Sequence, residues 1–459
     1  MLKLNSIFFD VINNWLKSLQ NKLNPLVENS TIFKNLDNII FLFMWLTFVS
    51  SLFLPSELIG IVALVVVFFT VIKFLFIKGQ DIELSSCNLV LLVFLLISFA
   101  SVINSSLFAK SFYGFSKTLI YFSFYFSVVQ FFRFNKDKII PTLFVIAACA
   151  SFEGIVGIVQ NNIGLENIST WQDTSYVNPE DVVSRIYGTL LPYNPNLLAG
   201  YLIAAFPAIL GIGLLSVKDR KFNSKTTIIS VILMAITALT LFFTGCRGAY
   251  LAFGVIGLGV IVASWQVIFK TDAFPHKLRD YWKRSIGAIA ALVVAVFAFV
   301  PSILKRLLSI FVLREDSSTS FRMNVYHSSI EMFKDNWLLG IGTGNKTFRE
   351  IYGLYMMSGY DALSTYSVFL EMAVESGIFA VFAYLAFLAI LLKNAVGGFL
   401  NEVDLSKKII IFTTFISIIA VMIHGLFDTI YFRPQVQFVY WTMVAILVVT
   451  ITNKQEEMN

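Results

Sequence analysis

Charge is what this chain has least of. Asp, Glu, Lys and Arg make up 14% of its 459 residues against 57% apolar ones, and a soluble domain with that balance could not keep its surface dispersed in water. Cysteine is scarce too: Cys87, Cys149 and Cys246 are odd in number and scattered, which excludes a disulfide framework and the paired spacing of a metal site. Three histidines, no two of them close in sequence, exclude a local zinc motif. Neither metal nor cofactor is expected. The alternating ten-residue segments of a membrane β-barrel are missing as well.

Long apolar runs are what remains. Near 38–55, 57–77, 87–107, 114–132, 139–160, 195–217, 225–244, 248–268, 285–303, 367–392, 408–429 and 435–452 the chain carries stretches of the roughly 18 to 25 residues that span a bilayer core. A backbone without water must satisfy its own polar groups, so these runs predict helices. The expected fold class is an all-α polytopic membrane protein of about twelve transmembrane helices. Gly245, Arg247 and Gly248 mark a tight turn between the seventh and eighth runs.

Lys and Arg resist translocation, and they crowd alternate connections: Arg133, Lys136 and Lys138, then Lys218, Arg220, Lys221 and Lys225, then Lys270, Lys277, Arg279, Lys283 and Arg284, with Lys3, Lys17, Lys22 and Lys34 at the N-terminus. These connections are expected on the cytoplasmic side, with both termini. The net charge of +6 is thus the excess that holds topology, and nucleic-acid binding is not expected. Residues 1–37 show no cleavable-signal pattern. Their Ile7, Phe8, Val11, Ile12, Trp15 and Leu16 recur at helical spacing, as suits a helix lying on the cytoplasmic face. The predicted organisation is an interfacial segment 1–37, a transmembrane domain 38–452 interrupted by a large, partly helical periplasmic loop 304–366 before helix ten, and a cytoplasmic tail 453–459.

Two outward segments, 161–194 and 304–366, are too long for turns, and polar chemistry collects around them. Phe321 to Phe333 reads as a short amphipathic helix, Trp337 to Ile341 as an apolar contact, and Gly340, Gly342 and Gly344 as a turn. Arg185, Arg247, Arg322 and Arg433 fall at outward helix ends. His424 and Asp428 share a helix face at four-residue spacing, as do Glu371 and Glu375. Any one of these charges could simply pair with a neighbour. Several arginines with too few acids suit a multiply anionic ligand such as a diphosphate. Asn194 and Asn196, in an Asn-Pro-Asn turn, serve equally as a helix cap or as supporting ligands.

These motifs resemble those of the O-antigen ligase and polymerase family. Arg185-Ile-Tyr-Gly-Thr-Leu-Leu-Pro-Tyr-Asn-Pro-Asn196 is similar to the family's G-T-F-x-N-P-N segment, and Thr244-Gly-Cys-Arg247-Gly-Ala to its S-R-G-A turn. Arg322 through Asp335-Asn-Trp-Leu-Leu-Gly340-Ile-Gly-Thr-Gly-Asn345 is similar to its R…D-x-P-L-x-G-x-G-x-G-N loop, and Glu375-Ser-Gly377 to its E-x-G. The resemblance implies a bacterial inner-membrane protein in cell-surface polysaccharide assembly. It implies that Arg247 and Arg322, supported by Arg185, hold the diphosphate of a polyprenyl-linked glycan, which is passed to an acceptor that the sequence does not name. At the position of the family's catalytic histidine stands Tyr366, with His424 as a candidate substitute whose tautomer Asp428 would fix. The wording Ala362-Leu-Ser-Thr-Tyr-Ser-Val-Phe-Leu-Glu371 and His424-Gly-Leu-Phe-Asp428-Thr-Ile-Tyr-Phe-Arg433 is closest to a cyanobacterial-type branch named as putative inorganic carbon (bicarbonate) transporters. The expected function is therefore glycan transfer or polymerisation, with bicarbonate transport and a non-catalytic assembly scaffold as alternatives. Oligomeric state is open.

Overall fold

The structure, a computed structural model, describes residues 7–83, 85–164, 185–217, 225–270, 279–288, 291 and 317–457. Most of the expected span at 285–303 lies outside these residues, as do 165–184 and 304–316 of the two long segments, the end of the tail, and Lys3, Lys218, Arg220, Lys221 and Lys277.

The described residues form helices and no strand. In order they are α1 Ile7–Val27, α2 Thr31–Lys34, α3 Leu36–Phe53, α4 Ser56–Phe76, α5 Ser86–Asn104, α6 Phe108–Phe134, α7 Ile139–Ile163, α8 Pro195–Val217, α9 Lys225–Phe243 and α10 Arg247–Lys270. After the undescribed stretch come α11 Ser317–Asp335, α12 Asn345–Tyr352, α13 Val368–Asn401, α14 Leu405–His424 and α15 Pro434–Glu457. Ten helices among the described residues are long and apolar enough to cross a membrane. Those ten, with the more polar α6, account for every expected run except the one at 285–303.

Burial sorts the helices into centre and rim. The spanning stretches of α8 and α15 are 89% and 94% buried, so these two form the axis of the bundle. Around them pack α7, α9 and α14 on one side and α6 on the other. Phenylalanine and tryptophan fill the axis: Trp441 stands 4.8 Å from Phe122 and 5.1 Å from Tyr125, ring centre to ring centre. On the rim the same apolar composition faces outward. Leu42, Leu46, Val49 and Phe53 form an exposed stripe along α3, while Ile40, Met44 and Phe48 are buried, the pattern of a helix packed on one side and wetted by lipid on the other. The N-terminal α1 is pinned side-on: Gln20 Nε2 donates to the carbonyls of Phe74 and Gln80 at 2.8 Å each. Its Leu16 is buried, whereas Val11 and Trp15 are exposed, leaving an apolar edge suited to a membrane surface.

Two helices depart from the continuous spans expected. The run at 408–429 ends early, because α14 stops at His424 and the chain turns through Gly425 to Thr429 into a short 3-10 turn, Ile430–Phe432. The long α13 is broken at Gly377, whose φ of 78° and ψ of 177° are not helical. The loop after α11 fills the break. Ile341 N–H donates to Val374 O and Gly342 N–H to Glu375 O, both at 3.0 Å, while Ile378 N–H donates to Trp337 O at 2.9 Å. The break strands backbone groups, and the Gly340–Gly344 turn satisfies them. Ser101 Oγ, close to the end of α5, also donates to Glu375 O at 2.5 Å.

Polar side chains inside the bundle fix the segment that follows the first undescribed stretch. From α7, Gln160 accepts Gly188 N–H at 2.8 Å and donates to Gly188 O at 2.9 Å. Two turns deeper, fully buried Glu153 accepts Thr189 N–H at 3.1 Å and contacts the Thr189 hydroxyl, which also donates to Leu52 O at 2.8 Å. A glutamine amide can make both contacts. Glu153→Gln is therefore expected to leave thermal unfolding in detergent nearly unchanged, whereas Glu153→Ala strands the Thr189 N–H and lowers stability by about 2 kcal/mol. Equal losses in the two variants would show that the carboxylate is needed for more than these bonds.

Candidate functional site

The segment Arg185–Asn196, the α9–α10 turn, α11 and the α14–α15 connection meet at the end of the bundle that carries the loop before α13. Gly245 makes the α9–α10 turn with φ of 66°, and the Arg185 side chain lies so close across it that a Cβ there would stand 3.1 Å from Nε. Arg185 Nε donates to Thr244 O at 2.7 Å and its Nη2 to Asn196 Oδ1 at 2.5 Å. Asn196 in turn donates from Nδ2 to Asp428 Oδ2 at 2.9 Å. Asn194 accepts the Asn196 N–H at 2.8 Å, so it caps α8 just ahead of Pro195. From the other side, Arg322 Nη2 approaches the same Asp428 oxygen at 3.7 Å. One carboxylate thus serves two guanidiniums, Arg322 directly and Arg185 through Asn196.

Among the described residues of this cluster, that leaves positive charge in excess. Arg185 makes no ion pair of its own among the described residues, and burial, with the nearby Arg322 acting in the same direction, pushes its guanidinium below the ordinary value. A cation so placed gains from an anion. Arg247 opens α10 beside this cluster. It follows Cys246 and precedes Gly248, where a Cβ would lie 3.3 Å from that of Phe427.

Tyr366 stands at the same place. It is the one non-glycine described residue with positive φ, 55°, a conformation that a bulky side chain holds only under local constraint. Its carbonyl accepts the Tyr326 hydroxyl at 3.3 Å, and its ring lies under Arg322, whose Cζ is 5.3 Å from the ring centre. Burial, then the charge of Asp428, push the phenol up to about 12 against the opposing pull of Arg322. At neutral pH it keeps its proton and cannot accept one. Its ring supports the guanidinium.

The expected pairing of His424 with Asp428 is not what forms. It presumed one continuous helix, but α14 ends at His424, so the four-residue spacing no longer places both on one face. His424 Nε2 instead meets Cys246 Sγ at 3.5 Å, and both side chains are buried. Cys246 had no expected role. Its neighbourhood to Arg247 in the Thr-Gly-Cys-Arg turn was the signal in the sequence.

The acids of α13 serve the backbone. Glu371 Oε2 accepts the Thr365 N–H at 2.6 Å, fixing the turn that presents Tyr366, and the Glu375 carboxylate accepts from Gly344 N–H. Neither pairs with an arginine among the described residues. Arg433, expected in the same group, makes no ion pair with Asp428 among the described residues, and its charge reaches Tyr121 of α6. The structure thus unites Arg185, Asn196, Arg322, Tyr366 and Asp428 and places Arg247, Cys246 and His424 beside them, while Arg433 takes no part in these contacts among the described residues.

No curated protein matches the chain. Residues 231–385 match the family model described as O-Antigen ligase, a stretch that includes Cys246, Arg247, Arg322, Tyr366, Glu371 and Glu375 but not Arg185, Asn196, His424 or Asp428. Over that stretch, the helices and the loop that carry Arg247, Arg322 and Tyr366, the chain is similar to O-antigen ligases in cell-surface polysaccharide assembly.

Proposed function

We propose that the protein binds a polyprenyl-diphosphate-linked glycan at the outward membrane face and transfers the glycan to an acceptor hydroxyl. The observation that carries this reading is the convergence of Arg185 and Arg322 on the single carboxylate of Asp428. A diphosphate offers the guanidiniums more acceptors than one carboxylate does, in the geometry their planar forks match. Arg322 is loosely held at 3.7 Å, so the incoming diphosphate draws it off Asp428 and opens that side of the carboxylate, which Asn196 still orients. The acceptor oxygen then attacks the anomeric carbon. The bond from that carbon to the diphosphate breaks, its electron pair leaves on the diphosphate against the arginines, and the acceptor proton passes to Asp428.

In this reading Tyr366 orients Arg322 and transfers no proton. Tyr366→Phe keeps the ring and is expected to retain transfer within about threefold, while Tyr366→Ala loses about tenfold. A reconstituted assay with a polyprenyl-diphosphate glycan donor measures both. A Phe variant as inactive as the Ala variant would return the hydroxyl to the mechanism. Donor binding without transfer to any acceptor would mark the protein as a scaffold, and absence of both would overturn the reading.

Transport finds less support. Broken helices serve transport where they open at mid-membrane, but the α13 break is level with Ser101, near the end of α5, and the chain's own loop occupies it.

A further inference from the structure

A second group of cations gathers on Tyr113 of α6, with Lys117 from α6 itself and Lys346 from α12. Tyr113 carries two ammoniums on one ring: Lys117 Nζ is 4.8 Å and Lys346 Nζ 4.5 Å from its centre. Neither lysine has an acidic partner among the described residues, whereas nearby Lys110 pairs with Glu350. Two like charges on one exposed ring repel each other, and an anion held by both relieves that repulsion.

Helix register gives the depth of this group. Phe438 of α15 packs against Tyr121 of α6, ring centres 5.3 Å apart. Arg433 stands just above Phe438 at the start of α15, and Lys117 stands one turn above Tyr121, so the two cations are level on neighbouring helices. The Tyr121 phenol also senses both Arg433 and Glu57, the latter in the first turn of α4. α6 therefore rises past the end of the α3–α4 hairpin, and the rising part is exposed and aromatic at Phe108, Phe112 and Tyr113. Aromatic rings with lysines at the end of the spanning helices are the composition of a lipid headgroup layer.

We propose that Lys117 and Lys346, gathered on Tyr113 with Arg433 level with Lys117 on the neighbouring helix, form a binding site for the phosphate of an anionic phospholipid headgroup in the outward leaflet. The site is independent of glycan transfer and would exist in a protein that transfers nothing. Its occupant neutralises the lysine pair and anchors α12, which carries Lys346, against the membrane surface. Glu57 opposes it.

The test places the photo-crosslinker p-benzoyl-phenylalanine at Phe112, in the full-length protein, in vesicles of phosphatidylcholine containing about one-fifth phosphatidylglycerol. Mass spectrometry of the adducts is expected to find phosphatidylglycerol enriched several-fold over its share of the bilayer. Lys117→Gln with Lys346→Gln is expected to return the adduct to the bulk proportion, and Glu57→Gln to raise the enrichment. Both lysines are exposed, so unchanged thermal unfolding of the double variant in phosphatidylcholine alone will show that it is folded. Adducts at bulk proportion in the otherwise wild-type protein, or unchanged enrichment in the double variant, overturn the site. Loss of enrichment on adding millimolar inorganic phosphate would overturn the lipid as occupant in favour of a free anion.

Discussion

Replacing Arg322 by alanine is expected to lower glycan transfer by about 10²- to 10³-fold, the loss that follows when one donor to a developing oxyanion is removed from a site shielded from water. Arg322 is the more loosely held member of the pair. Arg185 is tied to Thr244 and Asn196 at 2.7 and 2.5 Å, whereas Arg322 touches Asp428 only at 3.7 Å and rests on the Tyr366 ring. Arg322→Lys keeps the charge and loses the fork, so it should recover part of the activity. Arg349, in an exposed pair with Asp361, supplies the control, and Arg349→Ala should transfer glycan like the wild type. The measurement is single-turnover transfer from a polyprenyl-diphosphate donor together with donor affinity. A full-rate Arg322→Ala enzyme with unchanged affinity would remove this residue from diphosphate binding altogether.

The largest stability effect is expected where α13 breaks. A Cβ on Gly377 would stand 2.2 Å from Leu338 O and 2.6 Å from its carbonyl carbon, with φ at 78°; a Cβ on Gly340 would meet Glu375 C and O at 2.4 Å. These neighbours are backbone and cannot swing aside. Gly377→Ala or Gly340→Ala must push the loop out of the break and strand the groups it satisfies, at a cost of about 3 kcal/mol or more. Gly397, lower in the same helix, faces open space, and Gly397→Ala should be neutral or slightly stabilising. Thermal unfolding in one detergent compares the three. Transfer should fall with stability in the first two, because the same loop leads through Asn345 and Leu363 to Tyr366.

Spanning helices were legible because a bilayer imposes a length and a composition that no tertiary contact needs to supply, and the α9–α10 turn because glycine and arginine interrupt the run. The α11 helix and the Gly340–Gly344 turn were legible from periodicity and glycine spacing. The break at Gly377 was not, because the run stays apolar on both sides of it and the partner that fills it is a distant loop. The four arginines were visible as a class, but membership in the site depends on which helices are neighbours. Arg433 follows α14 closely in sequence and faces α6, whereas Arg185 reaches the cluster through Asn196. His424 and Asp428 misled because helical spacing was extended past the point where α14 ends. Cys246 is silent in the sequence because an isolated thiol gives no pattern until the fold sets an imidazole against it.

The hydrogen bond from Asn196 to Asp428 joins positions 232 residues apart, and this has a consequence for synthesis. Arg185 and Arg322 are both made long before the carboxylate that organises them. Until the α14–α15 connection has left the ribosome and been inserted, the earlier helices hold these cations without the acid that gathers them. If the site binds as proposed, competence arrives with the last hairpin, and a chain halted short of it lacks the carboxylate around which Asn196 and Arg322 gather.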